Sequence, residues 1–212
     1  MMSYWDYGFT VLAAIILSGY HIWLLWKTRH QPLSTAIGLS RRIRKIWVKQ
    51  IIAENQALLA IQTLRNWTMA ATLLSSTAIL IALGILNVAF MTKGQPDLAK
   101  IIDYFGYSSN RFWFLKLVTL SSNFFFAFFN FILAIRYYNH VGFIITVSGH
   151  QESGISVESV IKIFQRGADH YTLGMRGYYF SIPLSLWLFG SIWLFVGSLL
   201  LIAILFRLDR FE

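Results

Sequence analysis

Residues 7–26 read YGFTVLAAIILSGYHIWLLW and carry no charged side chain. The cationic segment that follows, residues 27–49, contains Lys27, Arg29, Arg41, Arg42, Arg44, Lys45 and Lys49. An α-helix needs about 20 apolar residues to cross a hydrocarbon core about 30 Å thick. An apolar run of this length with a cationic carboxyl end predicts a membrane helix whose carboxyl end faces the cytoplasm.

A cleaved signal peptide is the alternative reading of this run. Such a peptide begins with a cationic region and ends at a cleavage site of small residues. Here Asp6 is the only charged residue before Lys27, and no small-residue site follows. The run is also long for the apolar region of a signal peptide. We therefore expect a permanent anchor.

The composition of the whole chain is that of a membrane protein. Of its 212 residues, 57% are hydrophobic and 13% charged, whereas soluble domains carry about 25% charged residues. The absence of cysteine excludes disulfides, iron–sulfur clusters, thiolate zinc sites and cysteine nucleophiles. The net charge of +9 suits anionic headgroups of the lipid bilayer. We expect no nucleic-acid partner, because no basic stripe with interleaved aromatic residues lies outside the membrane-flanking segments.

Three further apolar runs, 68–92, 112–135 and 178–206, are long enough to cross the membrane. They predict an all-α fold, an integral membrane four-helix bundle that forms a single domain over residues 1–212. The predicted spans are about 7–27, 67–92, 111–136 and 178–206, and the two long connections are 28–66 and 137–177.

Lysine and arginine are distributed unevenly around these spans. The two long connections contain twelve of them, and the remaining connection with the C-terminal tail contains five. Cationic residues concentrate on the cytoplasmic side. The sequence therefore predicts cytoplasmic long connections, both termini outside, and location in the plasma (inner) membrane.

The cytoplasmic connections also have helical periodicity. After Ser40, a predicted N-cap, apolar residues recur at helical spacing through Ile52, opposite a cationic face. This pattern predicts an amphipathic helix at the inner interface. Residues 55–66 contain no helix breaker and should extend the second span, and residues 158–166 predict a second amphipathic helix.

Breaker residues predict the turns. Gln95-Pro96-Asp97 indicates the loop between the second and third spans, with a short interfacial helix possible over residues 98–105. The glycine-rich stretch 149–154 predicts a turn before the second amphipathic helix.

Several stretches of the chain resemble one known family. They are LAIQTLRN at 59–66, MAATLLSSTA at 69–78, FFNF at 128–131, RGYYF at 176–180 and LWLFG at 186–190. Together they are similar to the membrane-protein family named domain of unknown function 599, over about residues 41–209. The resemblance implies an integral membrane protein of four helices, and it implies no activity.

Polar residues inside the predicted spans are the candidates for function, because each is costly in hydrocarbon unless it is satisfied. Lys116, Asn123 and Asn130 are seven residues apart and share one helix face with Thr119 nearby. This polar lane has two readings. It lines a solute path, or its side chains bond neighbouring helices while Lys116 reaches outward.

A second candidate is an inner-leaflet cluster where the spans reach the cytoplasm. Its residues are Gln62, Arg65, Asn66, Arg136 and Arg176. The arginines anchor helices at the headgroups or clamp a phosphate or carboxylate, with Asp169 and Glu158 as countercharges.

Histidines offer a weaker candidate. His21 and His140 are the one pair that could ligate a haem between helices, but their predicted depths differ. No motif of closely spaced metal ligands occurs. We expect no cofactor and no metal.

The sequence predicts a non-catalytic protein, because phosphate-loop and nucleophile-elbow motifs are absent. The leading hypothesis is an oligomeric or accessory subunit, either a homo-oligomer or a partner in a membrane complex. The alternatives are a transporter or channel for a small solute or anion, and a haem-binding electron carrier.

Overall fold

Six α-helices make up most of the described chain, which comprises residues 4–91, 110–147 and 154–210 of a computed structural model. They are α1 (Tyr4–His30), α2 (Ala36–Ala53), α3 (Ala57–Met91), α4 (Asn110–Val147), α5 (Val157–Leu186) and α6 (Ser191–Asp209). Among these residues the only β-type pairing is an isolated bridge between Thr35 and Arg210. The predicted all-α fold is confirmed.

Four of the helices are long and apolar enough to cross a membrane, as predicted: α1, α3, α4 and α6. With 35 and 38 residues, α3 and α4 are about 52 and 57 Å long, so both exceed a hydrocarbon core of about 30 Å. The predicted extension of the second span is confirmed, since one helix runs unbroken from Ala57.

The fourth apolar run, predicted as one span over 178–206, is divided between two helices. Helix α5 ends at Leu186, three residues after Pro183, and a 3₁₀ turn covers Trp187–Phe189. Gly190 then has a φ of +145°, which residues other than glycine rarely adopt. Helix α6 returns beside α5, and a Cβ added at Gly197 would lie 2.7 Å from the Leu186 side chain. The two helices therefore form an antiparallel hairpin.

Helix α1 lies parallel to α6. The Phe9 ring is 5.7 Å from Phe195 near the start of both helices, and Trp23 is 5.8 Å from Phe206 near their ends. The bridge between Thr35 and Arg210 joins the residues just beyond them. The two ends of the described chain therefore lie at opposite ends of the bundle. The sequence predicts both on one side, and the difference arises because α5 is an additional passage along the bundle.

Helix α2 is amphipathic, as predicted, and it begins earlier than expected. Its N-cap is Thr35, whose hydroxyl accepts a hydrogen bond from the Gly38 amide at 3.3 Å, so the prediction of Ser40 as N-cap is wrong. Its apolar face is buried against the other helices through Val48 and Ile51.

Ion pairs fix the direction of α2 along α5. Arg41 is 2.9 Å from Asp169, and both Lys45 and Lys49 reach Glu158. Helix α2 is therefore antiparallel to the first half of α5. With the neighbouring ends of α3, α4 and α5 it forms a four-helix layer with its own apolar core, which we call the inner layer.

Some predicted turns fall largely outside the described residues. These are the loop at 95–97, the short helix at 98–105 and most of the turn at 149–154. Gly154 is described, and its φ of +62° is typical of a turn.

Candidate functional site

A pocket of about 390 Å³ lies where the inner layer meets the four apolar helices. We call it the junction pocket and define it by six of its polar or aromatic lining residues: Ser40 and Arg44 of α2, Trp67 of α3, Thr172 and Arg176 of α5, and Asp209 of α6. Its volume is within the range of about 300–1,000 Å³ that is usual for ligand sites.

One wall of the pocket is a part-buried ion pair. Nη2 of Arg176 lies 3.0 Å and 2.8 Å from the two carboxylate oxygens of Asp209, and the side chains are only 12% and 13% exposed. The Tyr20 hydroxyl donates to the same carboxylate at 2.9 Å. The opposite charges and the added hydrogen bond offset the cost of removing these groups from water. The ion pair joins α5 to α6, and Tyr20 joins α1 to both.

His21 completes this network from α1. Its Nε2 lies 3.1 Å from Nη1 of Arg176, and its Nδ1 lies 2.8 Å from the Leu17 carbonyl. Because a guanidinium only donates, Nε2 accepts and Nδ1 carries the proton. The imidazole is therefore neutral in this arrangement, and both of its nitrogens are engaged.

Another wall of the pocket contains the Arg44 guanidinium, whose surroundings differ from those of Arg176. Nε of Arg44 is buried and has no hydrogen-bond partner in the part of the chain that the structure describes. Burial lowers the pKa of Arg44 from its ordinary value, and the negative charge of Asp169 partly offsets this shift. Arginine nevertheless stays charged in proteins. The pocket therefore has two arginines and one aspartate, and its net charge is positive.

The predicted polar lane faces α5. Lys116 is 2% exposed and donates to the Trp187 carbonyl at 2.7 Å. Asn123 donates to the Gly177 carbonyl at 2.8 Å, and the Asn130 amide oxygen is 3.0 Å from Nδ1 of His170. Thr119 bonds within its own helix, to the Leu115 carbonyl. Asn123 and Asn130 thus bond to α5, and Lys116 bonds to the 3₁₀ turn that follows it.

The predicted inner-leaflet cluster is not gathered into one site. Gln62, Arg65 and Asn66 are exposed on α3, and Arg136 is exposed on α4. Arg176 lines the junction pocket, whereas Arg65 lines a separate groove between α3 and α4. The proposed countercharges Asp169 and Glu158 pair with α2 instead.

The two histidines proposed for haem are in different surroundings. His21 uses both ring nitrogens in the network around Arg176, whereas His140 is exposed on α4. Among the described residues no group of three or more His, Cys, Asp or Glu side chains could hold a metal ion.

Sequence reasoning selected Arg176 but missed Arg44 and Asp209. A signal for Arg44 was present, because it lies four residues before Val48 and seven before Ile51, on the apolar face of the amphipathic helix. An arginine on the buried face is more informative than its neighbours on the solvated face. Asp209 carried no comparable signal, since it lies in a short charged tail.

The bundle and its apolar helices define a class: an all-α, multi-pass membrane protein with a cationic pocket at one end. The chain belongs to the family described as "Protein of unknown function, DUF599", whose sequence model matches residues 9–212. The resemblance noted above is thereby confirmed. No curated protein and no solved structure matches the chain.

Proposed function

We propose that the protein is a non-catalytic membrane protein that binds an anionic group, a phosphate or carboxylate, in the junction pocket on the cytoplasmic side. The observation that carries the proposal is the Arg44 guanidinium, whose buried Nε has no hydrogen-bond partner among the described residues. A buried donor without a partner costs about 1–3 kcal/mol, and more when it is charged. Because Arg44 lines the pocket, an anion that binds there can compensate the charge of this guanidinium.

The rest of the lining suits a ligand that is partly apolar. Trp67, Tyr171 and Tyr179 line the pocket beside Leu205 and Leu208. Tryptophan and tyrosine are typical of the headgroup level of a bilayer, and arginine recognises phosphate and carboxylate by paired hydrogen bonds. The anion is therefore either the headgroup of a lipid or a free anion from the cytoplasm.

Replacing Arg44 by alanine should weaken binding about tenfold, the effect of one charge-assisted contact. The probes are dihexanoyl phosphatidic acid, inorganic phosphate and citrate, titrated calorimetrically into the detergent-purified protein. A preference for phosphatidic acid identifies a lipid headgroup, and equal or tighter binding of phosphate or citrate identifies a free anion.

Arg42 is the matched control, because it lies on the same helix, is exposed, and does not line the pocket. Arg42→Ala should change affinity less than twofold, as expected for a screened surface charge. Equal losses in the two variants, or no binding of any probe by the unaltered protein, would contradict the proposal.

We also propose a topology in the plasma membrane, with the amino end of α1 outside and the carboxyl ends of α1 and α6 in the cytoplasm. It is supported by the parallel packing of α1 and α6. It also assigns Arg207 and Arg210 to the cytoplasmic side, so fourteen Lys or Arg residues are inside and three outside. This bias is stronger than the twelve against five obtained with both termini outside.

Single cysteines test this topology cleanly, because the chain has no cysteine of its own. A membrane-impermeant maleimide added to intact cells should label Gln95→Cys. It should label Gln31→Cys and Glu212→Cys only after permeabilisation. Labelling of position 212 from outside would refute the parallel arrangement of α1 and α6, and the position 31 variant shows that the cells are sealed.

The other hypotheses drawn from the sequence stay predictions. A homo-oligomeric or accessory-subunit role is compatible with the many exposed apolar side chains of α1, α3 and α6. The transporter hypothesis is weakened, because Lys116, Asn123 and Asn130 use their polar groups to bond α5, the 3₁₀ turn after it or their own helix.

A further inference from the structure

A second cavity, about 980 Å³ in volume, lies between α3 and α4. We call it the α3–α4 groove and define it by Arg65, Thr72, Leu73 and Ser76 on α3 and by Asn139 and Gly142 on α4. It shares no lining residue with the junction pocket. Its apolar side chains are open to the surroundings, for example Leu73, which is 70% exposed.

The part of the groove between Arg65 and Ser76 has the depth of one leaflet of a bilayer, and the lining continues past Arg65 to Ile61 and Thr146. From Arg65 to Ser76 there are eleven residues, which in a helix is about 16 Å. Half of a hydrocarbon core about 30 Å thick is about 15 Å. Arg65 lies two residues before Trp67, which lines the junction pocket together with Asp209 at the end of α6. Arg65 is therefore at the headgroup level, and Ser76 is near the bilayer midplane.

The charged and amide side chains of the groove, Arg65 and Asn139, lie at its headgroup end. Tyr138 of α4 contacts Trp67 with ring centroids 6.1 Å apart, so Asn139 and Gly142 follow on the Arg65 side. Beyond them, toward the midplane, the lining consists of Thr68, Met69, Thr72, Leu73 and Ser76. These side chains carry no charge, and the hydroxyl of Thr72 donates to its own helix, to the Thr68 carbonyl.

We propose that the α3–α4 groove binds one phospholipid of the inner leaflet, with an acyl chain along residues 69–76 and its phosphate on Arg65. Charge complementarity favours a lipid over a second copy of the chain. A second copy would have to offer a carboxylate to Arg65. Of the described acidic residues at this end of the bundle, Glu158, Asp169 and Asp209 are paired with cations, and Glu54 accepts hydrogen bonds from the Gln50 and Gln56 amides.

Gly142 allows the groove to be filled without disturbing the bundle. A Cβ added there meets no atom within 4 Å, and leucine is a better helix former than glycine. Gly84 of α3 has the same open surroundings and does not line the groove. Gly142→Leu and Gly84→Leu are thus a matched pair. Arg65→Ala and Arg136→Ala form a second pair, because both arginines are exposed and only Arg65 lines the groove.

The experiment counts dioleoyl phosphatidylglycerol molecules retained on the detergent-purified protein by native mass spectrometry. Gly142→Leu should lower the retained lipid by one molecule per chain, and Arg65→Ala should weaken retention about tenfold. Gly84→Leu and Arg136→Ala should behave like the unaltered protein. Dioleoylglycerol, which lacks the phosphate, should be retained equally by the unaltered protein and by Arg65→Ala.

Two results would overturn the proposal. In the first, Gly142→Leu retains as much lipid as Gly84→Leu. In the second, Gly142→Leu converts a dimer to a monomer, which assigns the groove to a second copy. Arg44→Ala should leave this lipid in place, so the outcome for the groove is independent of the outcome for the junction pocket.

Discussion

Replacing Asp209 by alanine should destabilise the protein by about 3–5 kcal/mol, because it leaves the part-buried Arg176 guanidinium without its countercharge. The pair is only 12% and 13% exposed, and the carboxylate also accepts from Tyr20. One substitution therefore disrupts the contacts that tie α5 and α1 to the end of α6. Reversible unfolding in mixed micelles, followed by circular dichroism, measures the loss.

The matched control is the ion pair between Arg41 and Asp169, which joins α2 to α5 but has side chains 46% and 38% exposed. Asp169→Ala should cost less than about 1 kcal/mol, because exposed pairs are screened by solvent. The double variant Arg176→Met, Asp209→Leu should recover most of the stability, since it removes both charges together. Equal losses of stability for Asp209→Ala and Asp169→Ala would contradict the conclusion that the Arg176–Asp209 pair stabilises the protein more than the exposed Arg41–Asp169 pair does.

Replacing Gly177 by alanine should destabilise the protein by about 1–3 kcal/mol, the usual cost of overpacking. A Cβ at this position would lie 2.9 Å from Cβ of Ala127 and 3.4 Å from its Cα. A short side chain attached directly to the backbone cannot turn aside, so α4 and α5 must separate. The Gly177 carbonyl also accepts from Asn123, and separation strains that bond.

Gly84→Ala provides the comparison for this variant, because a Cβ there meets nothing within 4 Å. It should stabilise the protein by about 0.5–1 kcal/mol through the better helix propensity of alanine. The two variants therefore shift the thermal midpoint in opposite directions. A Gly177→Ala protein as stable as the Gly84→Ala protein would show that α4 and α5 are packed less closely than described.

Asn123 and Asn130 illustrate how far the sequence of this protein can be interpreted. Their spacing of seven residues correctly indicates one helix face, but it does not say whether that face meets water or another helix. In the structure this face meets another helix, since Asn123 bonds the Gly177 carbonyl and Asn130 bonds His170, both distant in the chain. Both partners lie within residues 137–177, which the sequence predicts as a connection, and α5 is not one of the four described helices that are apolar enough to cross a membrane.

The arginines of the predicted inner-leaflet cluster also look equivalent in the sequence but have different surroundings in the structure. Arg65, Arg136 and Arg176 occupy comparable positions on three predicted spans, and sequence reasoning grouped them together. In the structure Arg176 pairs with Asp209, 33 residues away, while Arg65 and Arg136 are exposed. Helix depth follows from hydropathy, but rotation about each helix axis depends on close approaches such as that of Gly177 to Ala127.

The sequence by itself determined that this protein is helical, that four of its segments are long and apolar enough to cross a membrane, and that a strongly cationic segment follows the first of them. Each follows from a local property: apolar runs long enough for a bilayer, unbroken helical periodicity, and cationic residues beside the 7–26 run. Only the tertiary structure decided that the last apolar run divides at Gly190 into a hairpin, that α6 therefore ends beside α1, and that Arg44 and Arg176 line one pocket. The physical reason is that these features depend on contacts between residues far apart in the chain, which no local pattern encodes.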